Sequence, residues 1–151
     1  WQVKPATPGK RQSRVKSWSI NGDCELPLTP KLYVKGEFFT GYNLDDYFGG
    51  ILQGVNPTTR EVIKSMGGWM QLSYKHNDKW NYRLGFGIED PEEKDLSRTM
   101  RSRNSVYFGN VVYSLIPPVD IGLEYSYWET DHKGLSKGTD NRIQTSIIYK
   151  W

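Results

Sequence analysis

Seven charged residues stand within or beside runs that otherwise read as β-strand: Lys35, Glu37, Arg83, Glu89, Glu124, Arg142 and Lys150. Each occupies the polar register of an alternating stretch, so each shares a face with polar neighbours. Carboxylates and cations opposed across water can set a local field and sort small charged molecules by sign. The plainer alternative is that they pair with one another and only keep that face wet.

Residues suited to covalent or metal chemistry are sparse. The two histidines, His76 and His132, have no second histidine at ligand spacing and no Ser/Asp pattern nearby. Asp45-Asp46 and the group Asp90, Glu92, Glu93 and Asp95 lack the ordered spacing of a calcium loop. No glycine pair precedes a helix as a phosphate cradle would. Cys24 is the single cysteine, so no internal disulfide framework exists, and in an apolar register it reads as a small hydrophobe. The residues therefore predict no enzyme, no metal and no cofactor.

The elements that would position the seven charges are strands. Apolar residues alternate instead of recurring every three or four positions. The first run, 14–26, sets Trp18, Ile20, Gly22, Cys24 and Leu26 against Ser17, Ser19, Asn21, Asp23 and Glu25. Pro27, Thr29 and Pro30 predict a turn after it. The second, 31–44, sets Leu32, Val34, Gly36, Phe38 and Tyr42 against Tyr33, Lys35, Glu37 and Phe39. The third covers 63–75. The fourth is the most regular: Trp80, Tyr82, Leu84, Phe86 and Ile88 alternate with Asn81, Arg83, Gly85, Gly87 and Glu89.

The fifth run, 104–115, is ambiguous because Val106, Phe108 and Val112 oppose an equally apolar set. Placing Asn110 and Ser114 on the polar face selects Tyr107, Gly109, Val111, Tyr113 and Leu115 for the apolar one. The sixth starts at Val119 and the seventh spans 143–151. Short turns join runs one to two, three to four and five to six, whereas the other three connections are long, including 131–141 before the last run.

Composition narrows the setting. The chain has 151 residues, with 20 Lys+Arg against 17 Asp+Glu and a net charge of +3. That balance argues against a nucleic-acid partner. Mean hydropathy is -0.68, and no stretch approaches the ~20 apolar residues of a membrane helix. A transmembrane β-barrel escapes both restrictions, because only alternate residues meet lipid. The alternating connection lengths and the aromatics near the run ends, among them Trp18, Tyr42, Tyr74, Trp80, Tyr113, Tyr127, Tyr149 and Trp151, fit such a barrel. A soluble barrel with its apolar face inward is the competing arrangement.

Several segments carry a family resemblance. The ending Gln144–Trp151, alternating and closed by an aromatic residue, is similar to the C-terminal signal of outer-membrane proteins, whose members more often end in Phe. Gly36-Glu37-Phe38-Phe39-Thr40-Gly41, Gly67-Gly68-Trp69-Met70-Gln71-Leu72-Ser73-Tyr74 and Gly122-Leu123-Glu124-Tyr125-Ser126 resemble the C-terminal half of large bacterial porins. The resemblance spans 30–151. It implies an all-β, antiparallel up-and-down transmembrane β-barrel in the bacterial outer membrane, passing small hydrophilic solutes without a cofactor. A homotrimer, or assembly with other envelope subunits, is implied in the same way.

Seven strands are odd for a bacterial single-chain barrel. The parity predicts the C-terminal part of a larger barrel, with 1–13 as an external loop and 14–151 as its strands. An eight-stranded barrel using residues 1–7, or completion by another chain, are the alternatives. The polar face then becomes the lumen, and the seven charges become pore-lining residues. The connection 45–62 is expected to fold inward, being long, Gly-hinged and provided with Ile51 and Leu52. Outer-membrane lipid is the expected partner of the apolar face. Arg98, Arg101 and Arg103 could bind lipopolysaccharide phosphates or stay solvated. The rival function is a non-transporting barrel with a structural, adhesive or scaffolding role.

Overall fold

The computed structural model describes residues 2–3, 13–47 and 49–151. Two short strands, β1 (Gln2–Val3) and β2 (Ser13–Arg14), pair antiparallel. The rest of the segment 1–13, expected as a loop, lies outside the described residues. Seven long strands follow: β3 (Trp18–Thr29), β4 (Leu32–Tyr42), β5 (Lys64–Lys75), β6 (Trp80–Pro91), β7 (Arg101–Ile116), β8 (Val119–His132) and β9 (Gly138–Tyr149). They form one sheet in strict chain order, each antiparallel to the next. This up-and-down meander is all-β, interrupted by single 3₁₀ turns η1 (Leu44–Tyr47), η2 (Gly50–Leu52) and η3 (Glu93–Asp95).

Registers across the six ladders decide the faces. Leu84 stands between Leu72 and Gly109, and Phe86 between Met70 and Tyr107. Tyr107 in turn stands opposite Tyr127, and Ile121 lies between Tyr113 and Ile147. The fifth run therefore directs Tyr107, Val111 and Tyr113 to the apolar face and leaves Val106, Phe108 and Val112 on the polar one. The apolar face is bare: Leu84 is 66% exposed, Ile143 76% and Ile147 80%. A soluble barrel would bury these side chains, and a water-facing patch of this extent is rare on a soluble monomer. Among the described residues the buried hydrophobic side chains are Leu44, Ile51, Ile63 and Leu96, all in the connections.

Aromatic side chains mark both ends of the apolar face. Trp18 packs on Tyr42 at 5.6 Å beside the long connections, and Trp80 packs on Tyr113 at 4.5 Å beside the short turns. Rings with one wet edge suit the two borders of a bilayer.

Several boundaries differ from the sequence expectation. Pro27 is inside β3, opposite Tyr33, rather than in the turn. It is tolerated there because the register shifts between Pro27 and Thr29, where the ladder is already irregular. The polar stretch 131–141 is mostly strand: β8 runs to His132 and β9 begins at Gly138, so that connection is only 133–137. Ladder pairing of Glu129 with Thr139 and of Trp128 with Asp140 carries it, regardless of polarity. At the other end, β9 stops at Tyr149; Lys150 and Trp151 lie beyond it.

The face assignment predicts the effect of a charge. Leu84→Arg should lower stability in lipid bilayers by roughly 2–4 kcal/mol, the cost of a cation at the lipid midplane. Gln71→Arg on the opposite face should cost well under half of that. Urea unfolding in liposomes distinguishes them; equal losses would reverse the faces.

Candidate functional site

Regular register arranges the polar face into rows that cross the strands. One row close to the long connections holds Asn21, Phe39, Gly67, Glu89, Asn104 and Thr130. The second holds Asp23, Glu37, Trp69, Gly87, Val106, Trp128 and Asp140. The third runs Glu25, Lys35, Gln71, Gly85, Phe108, Ser126 and Arg142. The fourth includes Tyr33, Ser73, Arg83, Asn110, Glu124 and Gln144.

All seven selected charges therefore lie on or beside this face, but at different heights rather than in one ring. Lys35 pairs with Glu25 at 2.9 Å, and Lys150 with Asp120 at 2.6 Å. Glu37 accepts the Trp69 indole N–H at 3.2 Å. Glu124 accepts from Asn110 Nδ2 at 3.1 Å, and Asn110 stands between it and Arg83 in register. The buried Arg83 Nε has no partner among the described residues. Arg142 lies over the Trp128 ring, 5.4 Å from its centroid.

Glu89 does something the strand pattern cannot show: it accepts the backbone N–H of Ile51. The connection 43–63 thus folds onto the polar face. Its base is closed by the Asn43 N–H donating to the Ile63 carbonyl at 3.0 Å, and Val55 bridges to Val62. Asn56 holds the turn by accepting from the Thr58 and Thr59 N–H groups, and its amide donates to the Asp95 carbonyl at 2.7 Å. Leu44, 2% exposed, fills the space above Gly41, where an added Cβ would come within 2.7 Å of it.

The tip of this connection is strained. Gly50, Ile51 and Leu52 all have positive φ, at 65°, 53° and 56°. For a β-branched residue this is a true outlier, costing roughly 1–2 kcal/mol. Two charged groups hold it. Glu89 takes the Ile51 N–H, and Arg101 Nη2 donates to the Ile51 carbonyl at 2.6 Å. Gln53 adds a two-way tie to the Arg101 backbone at 2.8 and 3.1 Å. Hydrogen bonds to charged groups contribute about 1.5–3 kcal/mol each, and burial of Ile51 a similar amount, so the clamp outweighs the strain.

Sequence reasoning missed Arg101 as a clamp, having grouped it with Arg98 and Arg103 as a basic cluster. The structure divides that cluster. Arg103 pairs with Asp90 at 3.2 Å, and Arg98 stays exposed in the connection. The acidic stretch after β6 is likewise occupied. Lys64, by hydrogen bond, and Lys94 beside it hold the Glu92 carboxyl below the usual carboxylate range. Asp95 accepts the Lys64 N–H at 3.0 Å. Asp23, Glu25 and Asp120 are not among the seven selected charges, although alternation places all three on the polar face.

Strain and burial separate two neighbouring substitutions. Leu52 is 62% exposed, so Leu52→Asn, which accepts left-handed backbone, should raise stability by ~0.5–1 kcal/mol. Ile51→Asn removes a buried side chain and should lower it by about 1–2 kcal/mol. Unfolding midpoints in detergent check the sign of each.

No family profile matches this chain, and no curated protein does. Among solved structures it is similar to the crystal structure of the outer membrane channel DcaP of Acinetobacter baumannii. The TM-score is 0.71, over 92% of this chain, at 15% sequence identity. The chain spans about 41% of that channel's length. Its seven strands thus have the fold of part of an outer-membrane β-barrel.

Proposed function

We propose that this chain builds part of the wall of an outer-membrane channel through which small hydrophilic solutes diffuse. The clamped connection 43–63 carries the reading. A segment pinned across the polar face by Glu89 and Arg101 narrows whatever aqueous space that face encloses, whereas a purely structural barrel gains nothing from it. Apolar side chains of the other face meet lipid, with lipopolysaccharide at the outer leaflet. The outer edges of β3 and β9 require strands beside them, since unpaired backbone groups are costly in hydrocarbon. A larger barrel supplies those strands. The solute would be sorted by size at the clamp and by the charges Lys35, Glu37, Arg83, Glu89, Glu124, Arg142 and Lys150 along the wall.

Planar-bilayer recordings test this. The reconstituted protein should show discrete conductance steps. Arg101→Ala, which frees the Ile51 carbonyl, should raise the step size and its noise. Arg83→Gln and Glu124→Gln should shift ion preference in opposite directions. Absence of steps would leave the structural or scaffolding role as the better reading.

A further inference from the structure

Two adjoining cavities open on the polar face beside the clamped connection, of about 180 and 200 Å³, and both are lined by Phe39 and Glu89. Their aromatic walls come from Phe39, Trp69 and Trp128 on one side and Tyr47 on the other. The charged side chains lining them are Glu37 and Glu89; among the described residues neither cavity has a lysine or arginine in its lining. At ~30 Å³ per water, each could hold roughly six waters, room for one small organic molecule.

One of the rings is placed by glycine. A Cβ at Gly67 would come within 2.5 Å of the Phe39 ring. The missing side chain there lets Phe39 settle against the sheet. An aromatic face carries partial negative charge and attracts cations that are weakly hydrated. The far ring already does so: Arg142 lies over Trp128.

The carboxylates add a second, separate signal. Asp23 stands directly opposite Glu37 across β3 and β4. Like charges in that position destabilise a ladder. One row further along, the same strands oppose Glu25 to Lys35 and form an ion pair at 2.9 Å. Among the described residues Asp23, Glu37 and Glu89 have no cationic partner, and no set of three groups converges to hold a metal ion. The missing positive charge is one that aromatic walls accept.

We infer that this part of the polar face is a binding site for a small organic cation with an ammonium head, seated against Phe39 and Trp69 and held by Glu89 and Glu37. The site rests on the polar face being the solute-facing one, as proposed above. It names cationic solutes as the class the channel would favour.

Calorimetric titration of the detergent-folded chain with choline chloride, sodium chloride and glucose tests the site without requiring conduction. Choline should bind and the other two should not. Trp69→Leu and Glu89→Gln should each weaken choline binding about tenfold. The side-chain amide oxygen that Glu89→Gln introduces would still accept the Ile51 N–H, and Arg101 and Gln53 still tie down the connection. Asp23→Asn should weaken choline while raising the unfolding midpoint, because it removes a repulsion. Glucose binding in place of choline, or choline binding indifferent to all three substitutions, would overturn the inference. Choline binding without conductance steps would keep the site and discard the channel.

Discussion

Everything in this sheet depends on an unbroken register across six antiparallel ladders. Side chains on a strand alternate with a period of two, so a slip of one residue would exchange the faces of every strand beyond it. No such slip occurs between Asp23 and Asp140, and a single row runs straight from one to the other. Irregularities are confined to the ends, between Pro27 and Thr29, Arg101 and Arg103, and Ser114 and Ile116. That placement lets the strands bend at their margins while the middle keeps Leu84, Phe86 and Ile121 on the face away from Arg83, Gly87 and Glu124.

The clamped connection shows how a polar wall can hold a non-strand segment. Its apolar side chains are few: Leu44, Ile51 and Ile63, with Leu96 from the neighbouring connection. Each of the four is almost fully buried. Backbone strain at Ile51 is tolerated because Glu89 and Arg101 satisfy its N–H and carbonyl together. Each comes from a different strand, so the contact also fixes where the tip sits over β6 and β7. Local strain at such a position is held by the surrounding fold rather than by the segment itself.

Glycine and aromatic residues share a second device on the polar face. Gly67 and Gly85 carry no side chain under Phe39 and Phe108, whose rings occupy the space a Cβ would need. Large residues can then point out from the polar face without crowding the sheet beneath them. This explains why the polar face tolerates Phe39, Trp69, Phe108 and Trp128, which hydropathy alone would assign to lipid. Their partners complete the accounting: Trp69 donates to Glu37 and Trp128 to Ser126.

Alternation in the sequence determined most of the strands and their faces, because a period of two is a property of each strand alone. Leu84, Phe86 and Ile147 are lipid-type positions by that rule, and the register agrees. Side chains of the seven selected charges were legible for the same reason. Their partners were not. Glu89 holding Ile51, Arg101 closing the clamp, and Asp23 facing Glu37 unpaired depend on which residues lie opposite across strands and connections. Those juxtapositions follow from ladder register and from a long connection folding back, and neither is encoded in the spacing of any single run. The polar stretch 131–141 makes the point from the other direction: composition marks it as loop, but pairing with β8 draws it into a strand, since cross-strand hydrogen bonds act on the backbone whatever side chains it bears.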